Sequence, residues 1–173
     1  MSTGAGEQFF GGAHRQRPAT LIAAMGELVS EFLNRAVREV MTTDPATVHP
    51  TQHLSVVRHA MMASHGHHVP VVDEGRFIGL LAPADLLRVL PANAYEQAPE
   101  VVDRMLDRVT VRAAMQEDVV TVGPNLALRD AARQLMGGGF HCLPVVDDRR
   151  HLLGLLTTSD LVRALLDAGD HRR

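Results

Sequence analysis

The chain contains one unit written twice. Shifted by 74 residues, Val37–Asp73 lies over Val111–Asp147 without a gap, and fourteen of the 37 positions are identical. They include Met41/Met115, Asp44/Asp118, Thr47/Thr121, Val48/Val122, Pro50/Pro124, Leu54/Leu128, His67/His141 and Pro70–Asp73 over Pro144–Asp147. One extra residue enters the second copy near Arg149 and Arg150. The match then resumes at a shift of 75, with Gly79-Leu80-Leu81 over Gly154-Leu155-Leu156 and Asp85-Leu86 over Asp160-Leu161. Two copies are too few for an open solenoid, so the pair must close on itself about a pseudo-twofold axis.

Each copy has the same internal order. A short first strand ends at Thr47-Val48 or Thr121-Val122. Pro50 or Pro124 then precedes a helix, with Thr51 or Asn125 expected as its N-cap. Leu54, Val57 and Met61, and in the second copy Leu128, Ala131 and Leu135, repeat at spacings of 3 and 4, which predicts an amphipathic helix. Gly66, or the triplet Gly137-Gly138-Gly139, is expected to end it. Val69–Asp73 with Phe77–Leu81, and Leu143–Asp147 with Leu152–Leu156, read as hairpins, and a second helix is expected from Pro83 and from Thr158. The unit is therefore β-α-β-β-α.

The expected fold is α+β: two such repeats packed pseudo-twofold, plus an N-terminal helix. The expected division is a mobile N-terminus and amphipathic helix at 1–36, the first repeat at 37–90, a linker with a short helix at 91–110, the second repeat at 111–168 and a frayed tail at 169–173. The stripe Leu21, Met25, Leu28, Phe32 predicts a helix from Pro18 that docks on the repeats or on a partner chain.

Composition narrows the function. A net charge of -3 gives no reason to expect a nucleic-acid partner, and no apolar run is long enough to span a membrane. A lone cysteine admits no internal disulfide and fits a reducing, cytoplasmic setting. With five Phe, one Tyr and no Trp, any planar ligand must be held by aliphatic groups. No nucleophile elbow, Walker-type glycine loop or Cys/His metal quartet is present, so no enzymatic activity is expected.

The ordered pattern Met-x₅-Thr-Val-x-Pro, apolar-Pro-Val-Val-Asp and Gly-Leu-Leu-Thr-x-x-Asp-Leu resembles the cystathionine-β-synthase (CBS) domain. It is complete in the second copy at Met115, Thr121, Val122, Pro124, Leu143–Asp147 and Gly154–Leu161, and the resemblance covers residues 37 to 167. It implies a tandem pair of the stand-alone type, often a homodimer, that regulates an unidentified protein partner. It also implies that an adenosine-containing ligand (AMP, ADP, ATP, S-adenosylmethionine or NAD) binds between the copies, as a regulatory ligand and not a required cofactor.

Residue by residue, the resemblance assigns the ribose to Thr157 and Asp160, and to Asp85 in the first copy, where Ala82 replaces the threonine. A carboxylate can accept from both hydroxyls of a vicinal diol, so the two clefts are expected to be unequal, with the Thr157/Asp160 cleft the better site. The bland alternative is a capping box, with Thr157 at N-cap and Asp160 at N3, and the two roles can coexist. The resemblance places the base pocket at Val119, Thr121, Cys142, Leu143 and Pro144, and at Thr47, Val69 and Pro70 in the first copy. Most of these are expected to be core. Phosphate contacts are assigned to His67, His141, Arg149 and Arg150.

Two other readings stand beside the sensor. One is a ligand-free structural or interaction module, supported by Ala82. The other is a redox or metal responder through Cys142 and the His65–His68 cluster, although the histidine spacing argues against a specific metal site and a cysteine among apolar residues is usually a buried hydrophobe.

Overall fold

The structure, a computed structural model, describes residues 18–64, 67–138 and 141–170. The chain divides into two units, Met1–Glu31 and Phe32–Arg173. What is described of the first is helix α1, Pro18–Asn34, which continues into the second unit. On α1, Ile22, Met25 and Val29 are exposed. The predicted mobility of residues 1–17 lies outside the described residues.

The second unit carries both repeats. In the first, β1 (Thr42–Thr43), α2 (Leu54–Ser64), β2 (Val69–Asp73), β3 (Arg76–Leu81) and α3 (Pro83–Val89) follow in order. Helices α4 (Pro99–Leu106) and α5 (Val111–Ala114) lead to α6 (Leu128–Gly138), β4 (Cys142–Val146), β5 (Leu152–Thr157) and α7 (Thr158–Asp170). Strands β2 and β3 form one antiparallel hairpin, β4 and β5 another. Both hairpins shift register at the equivalent point, Val71/Val72 and Val145/Val146. The first turns on Glu74-Gly75, both at positive φ, as a tight two-residue turn requires. The second holds the extra residue: Asp147 Oδ1 accepts from the Arg149 and His151 amides, and Arg150 takes positive φ.

The repeats exchange their leading segments. β1 pairs with β5 of the other repeat, Thr42 opposite Leu155, and Gln116 bridges Leu80 in the equivalent position. Val111 and Met115 complete the core of the first repeat, with Leu54, Val57, Val71 and Leu81. Val37 and Met41 pack into that of the second, with Leu128, Leu143 and Leu156. The helix ahead of each copy follows suit, Leu106 in the first core and Phe32 in the second. A third cluster, Phe77, Leu80 and Val146, joins the two hairpins.

This exchange makes two glycines necessary. A Cβ on Gly79 would lie 2.9 Å from the Gln116 carbonyl oxygen, and one on Gly154 would lie 2.5 Å from that of Thr42. The Gly-Leu-Leu triplets thus mark where the opposite copy's backbone crosses.

Several local expectations are corrected. The first strands ending at Val48 and Val122 shrink to single parallel bridges with Val71 and Val145. Two residues on, Pro50 and Pro124 have no N–H with which to continue the ladder. Thr51 and Asn125 do not cap helices. α2 and α6 begin at Leu54 and Leu128, whose amides donate to Val109 O and Arg35 O in the other repeat's leading segment. α6 continues through Gly137 and Gly138, with Gly139 outside the described residues, as is Gly66. α7 remains helical to Asp170 instead of fraying at Gly169.

Candidate functional site

The start of α7 is a reciprocal cap. The Thr157 amide donates to Asp160 Oδ2 at 2.8 Å, and the Asp160 amide donates to Thr157 Oγ1 at 3.2 Å. This is the capping box written in the sequence. The Thr157 hydroxyl also donates to Asp160 Oδ2, at 2.6 Å. On the other oxygen, Oδ1 accepts from Thr42 Oγ1 at 3.1 Å and from Arg163 Nη1 at 3.3 Å. Four donors therefore surround a carboxylate that is 4% exposed.

Burial does not seal this carboxylate off. Asp160 and Thr157 line a cavity of about 550 Å³. Its far side is built by the first repeat: Thr42, Pro45 and Ala46, with His67 and His68 ahead of β2. His141 and Arg163 complete the wall. A diol reaching Oδ1 must replace the Thr42 or the Arg163 contact. The Arg163 side chain is 69% exposed and tethered by that contact to Asp160, so it is the easier to displace.

The pseudo-twofold operation carries this site onto a second cavity of about 310 Å³ beside Asp85. Ala82 cannot form the side-chain half of the cap, but its amide still donates to Asp85 Oδ2 at 2.7 Å. Asp85 Oδ1 accepts from Arg88 and, at 3.1 Å, from Gln116 Nε2. Gln116 stands where Thr42 stands in the first site. Leu80, Asp118, Val119, Val120 and Cys142, with the shared histidines His68 and His141, form the remaining wall.

The clefts are therefore built across the repeats, which redistributes the residues the sequence singled out. Val119 and Cys142 both line the Asp85 cavity: Val119 because the exchanged leading segment brings it to the other copy's helix, and Cys142 from β4, whose thiol also lies near Asp160. Thr121, Leu143 and Pro144, and Thr47, Val69 and Pro70, line neither cavity. Leu143 and Val69 are core, buried with the hairpins. His67 and His141 do reach the Asp160 cavity. Arg149 and Arg150 do not line either cavity: they sit in the far hairpin turn, with the Arg150 guanidinium 6.0 Å over the Phe77 ring. Thr42, Arg163 and Gln116 were not anticipated. The signals were present, since Arg163 follows Asp160 by one helical turn, and Thr42 and Gln116 are equivalent positions that differ.

Charge at the site is set by packing. Burial pushes the Cys142 thiol up to about 12, and the nearby Asp160 carboxylate adds to this. A thiol held protonated at neutral pH is a poor nucleophile, which disfavours a redox response at Cys142. Burial lowers the His68 pKa, with His67 and His141 adding to the effect. Among the described residues, no three His, Cys, Asp or Glu side chains are arranged to hold a metal ion. His65 of the His65–His68 cluster lies outside them. No described helix is long and apolar enough to cross a membrane.

Comparison with known proteins agrees with this architecture. The CBS domain family matches twice, at residues 37–92 and 111–167. The chain belongs to the CBS-domain family and carries a tandem pair, a class of regulatory modules. It is 25% identical over 144 residues to an uncharacterised protein, MJ1225, of Methanocaldococcus jannaschii, covering 83% of this chain and 51% of that protein. The chain thus spans about half that relative's length, and still less of the homoserine O-acetyltransferases it also matches. The solved CBS domain of a CBS domain containing membrane protein from Sphaerobacter thermophilus superposes with a TM-score of 0.73 at 25% identity, over 84% of this chain and 97% of that one. CBSX2, solved in complex with AMP, superposes at 0.65 and 26% identity, over 78% and 98%.

Proposed function

We propose that this chain is a non-enzymatic sensor that binds an adenosine-containing ligand in the Asp160 cavity and passes its occupancy to a regulated partner protein. The observation that carries the proposal is the Asp160 carboxylate, held by its own helix cap and presented to a cavity of about 550 Å³ walled by both repeats. The ribose diol takes Asp160 Oδ1 in place of Arg163, and Pro45, Ala46 and Leu155 supply the aliphatic surface. The likeness to a structure holding AMP supports the ligand class. Occupancy is sensed because Thr42 bonds the same oxygen and belongs to the leading segment of the other repeat. A ligand that binds the two positions of that segment unequally shifts their populations.

The Asp85 cavity is smaller, about 310 Å³ against about 550 Å³, and Ala82 supplies no hydroxyl where Thr157 stands in the other. This favours a structural role for the first-copy cleft. The module is proposed to be a cytoplasmic homodimer. Equivalent exposed apolar residues on both repeats, Met62 with Met136 and Leu87 with Val162, support a symmetric contact between copies.

Isothermal calorimetry with adenosine, AMP, ADP, ATP, S-adenosylmethionine and NAD tests the ligand. Binding of one of these, weakened at least about tenfold in Asp160→Asn, which keeps the shape of the cap but loses its charge, is the expected result. No heat from any of them in folded wild-type protein refutes the sensor and leaves the interaction module.

A further inference from the structure

Helix α1 carries an exposed apolar stripe that the repeat plan does not account for. Phe32 and Leu106 each stand five residues ahead of their repeat, before Val37 and Val111, and each enters a core. On that register Met25 matches Pro99, where α4 begins, so α1 starts seven residues earlier. Val29 matches Asp103, the carboxylate that bonds Arg58 and His59 of α2. In place of that polar contact α1 has Val29, 48% exposed, in line with Ile22 and Met25 at 70% and 60%. At about 3.6 residues per turn these three form one ridge, and Ala23, Gly26 and Ser30, all exposed, form a shallow stripe beside it. Gly26 is a second anomaly. Glycine is a poor helix former, and inside a helix it usually has a packing reason. Here the backbone is ordinary helix, and a Cβ on Gly26 would meet nothing within 4 Å. Among the described residues no contact within the chain explains the glycine, whereas the close approach of another helix would.

We propose that α1 pairs with α1 of a second copy, antiparallel about a twofold axis at Gly26, the ridge of each helix packed into the small-residue stripe of the other. This goes beyond the contact between repeats proposed above and uses none of its residues. An isologous contact demands a self-complementary surface. With the axis at Gly26, Ile22 faces Ser30 and Val29 faces Ala23, so each large side chain meets a small one, as packing of ridges into grooves requires. In a parallel pair the same residues would meet their own kind, Ile22 on Ile22 and Gly26 on Gly26. The helix macrodipoles also attract when antiparallel and repel when parallel. Glu27 and Glu31, the only charged residues of α1, lie on the flank away from this face. No Lys or Arg of α1 borders the ridge, as an anionic lipid surface would need. At Gly26 the two backbones cross, and a larger side chain there would hold them apart.

Disulfide trapping in the full chain tests this. Cys142, the chain's one cysteine, is buried with its thiol pushed up to about 12, so it stays out of the reaction. Ala23→Cys and Val29→Cys are oxidised separately and as an equimolar mixture, and the products are weighed by mass spectrometry. The mixture should give the heterodisulfide between the two variants at least about tenfold above the yield of Glu27→Cys, which reports random collision, because paired helices hold the thiols at a high effective concentration. Either variant alone should stay at the collision level. Gly26→Leu, added to both, should return the mixture to that level with helical circular dichroism undiminished, since leucine is the better helix former. A heterodisulfide yield at the collision level refutes the pairing. Homodisulfides from each variant alone refute the antiparallel arrangement. Unchanged trapping in the presence of Gly26→Leu refutes the close approach at Gly26.

Discussion

Replacing Gly154 by alanine tests how the exchanged architecture holds the site together. The added Cβ would lie 2.5 Å from the Thr42 carbonyl oxygen and 3.0 Å from Met41 Sδ. Met41 can rotate away, but the carbonyl belongs to β1 and moves only with its strand. To regain ordinary contact at 3.4 Å or beyond, β1 must withdraw by about 0.9 Å. That displacement is enough to break a backbone hydrogen bond of normal length. Over-packing of this kind costs about 1–3 kcal/mol, and the upper half of that range is expected because the clash is with backbone. For a chain of this size, about 2–3 kcal/mol lowers Tm by roughly 4–12 °C. Gly79→Ala meets the Gln116 carbonyl oxygen at 2.9 Å and should do the same more mildly. Gly123→Ala, with nothing within 4 Å, is the control and should stay within about 0.5 kcal/mol of wild type. The assay is thermal unfolding followed by circular dichroism, paired with calorimetry of the best ligand. Gly154→Ala should also change affinity, because Thr42 rides on the displaced strand and bonds Asp160, whereas Gly79→Ala should leave affinity nearly unchanged. If Gly154→Ala melts with the Gly123→Ala control, the crossing of β1 over β5 is not a close contact and the reasoning fails.

Three further outcomes are expected. Phe77→Ala, which empties the cluster joining the two hairpins, should cost about 3–5 kcal/mol; a denaturant midpoint close to wild type would show that the repeats do not depend on that contact. Because the His68 pKa lies below its ordinary 6.5 in the folded chain, the unfolded chain binds more protons between those two values. Stability contributed by His68 is therefore complete above pH 6.5 and declines as pH falls through the window beneath it. The lowered Asp103 and Asp147 carboxylates act separately, below about pH 4. Ligand-free His68→Gln should thus lose less Tm than wild type between pH 7.5 and 5.5, and equal losses would contradict the burial argument. With Cys142 buried and its thiol pushed up to about 12, a thiol reagent at pH 8 should label native protein far more slowly than unfolded protein, as judged by mass spectrometry; equal rates would restore a reactive cysteine.

What was legible in the sequence, and what was not, follows from one property of duplicated folds. Leu54, Val57, Leu128, Ala131 and Leu135 reveal their helices because burial within a repeat imposes a local period. The Pro-Val-Val-Asp runs reveal their strands for the same reason. Thr157 and Asp160 are readable because a capping box is local, closed within three residues. Contacts between copies leave no such period. The Leu54 amide is satisfied by Val109 O, the Asp160 carboxylate by Thr42, and the Asp85 carboxylate by Gln116. None of these partners is close in sequence, and none sits at a position where the copies are identical. That is why Val119, assigned by the resemblance to the base pocket of its own copy, lines the Asp85 cavity of the other. The exchange did leave one readable trace. Gly79 and Gly154 recur at the same place in both copies, inside strands where glycine has no local advantage, and a repeated glycine in mid-strand signals another backbone passing close by. Reading that pair as a crossing point, and then asking which segment of the other copy can reach it, would have led from sequence alone to Thr42 and Gln116 and so to clefts shared between the repeats.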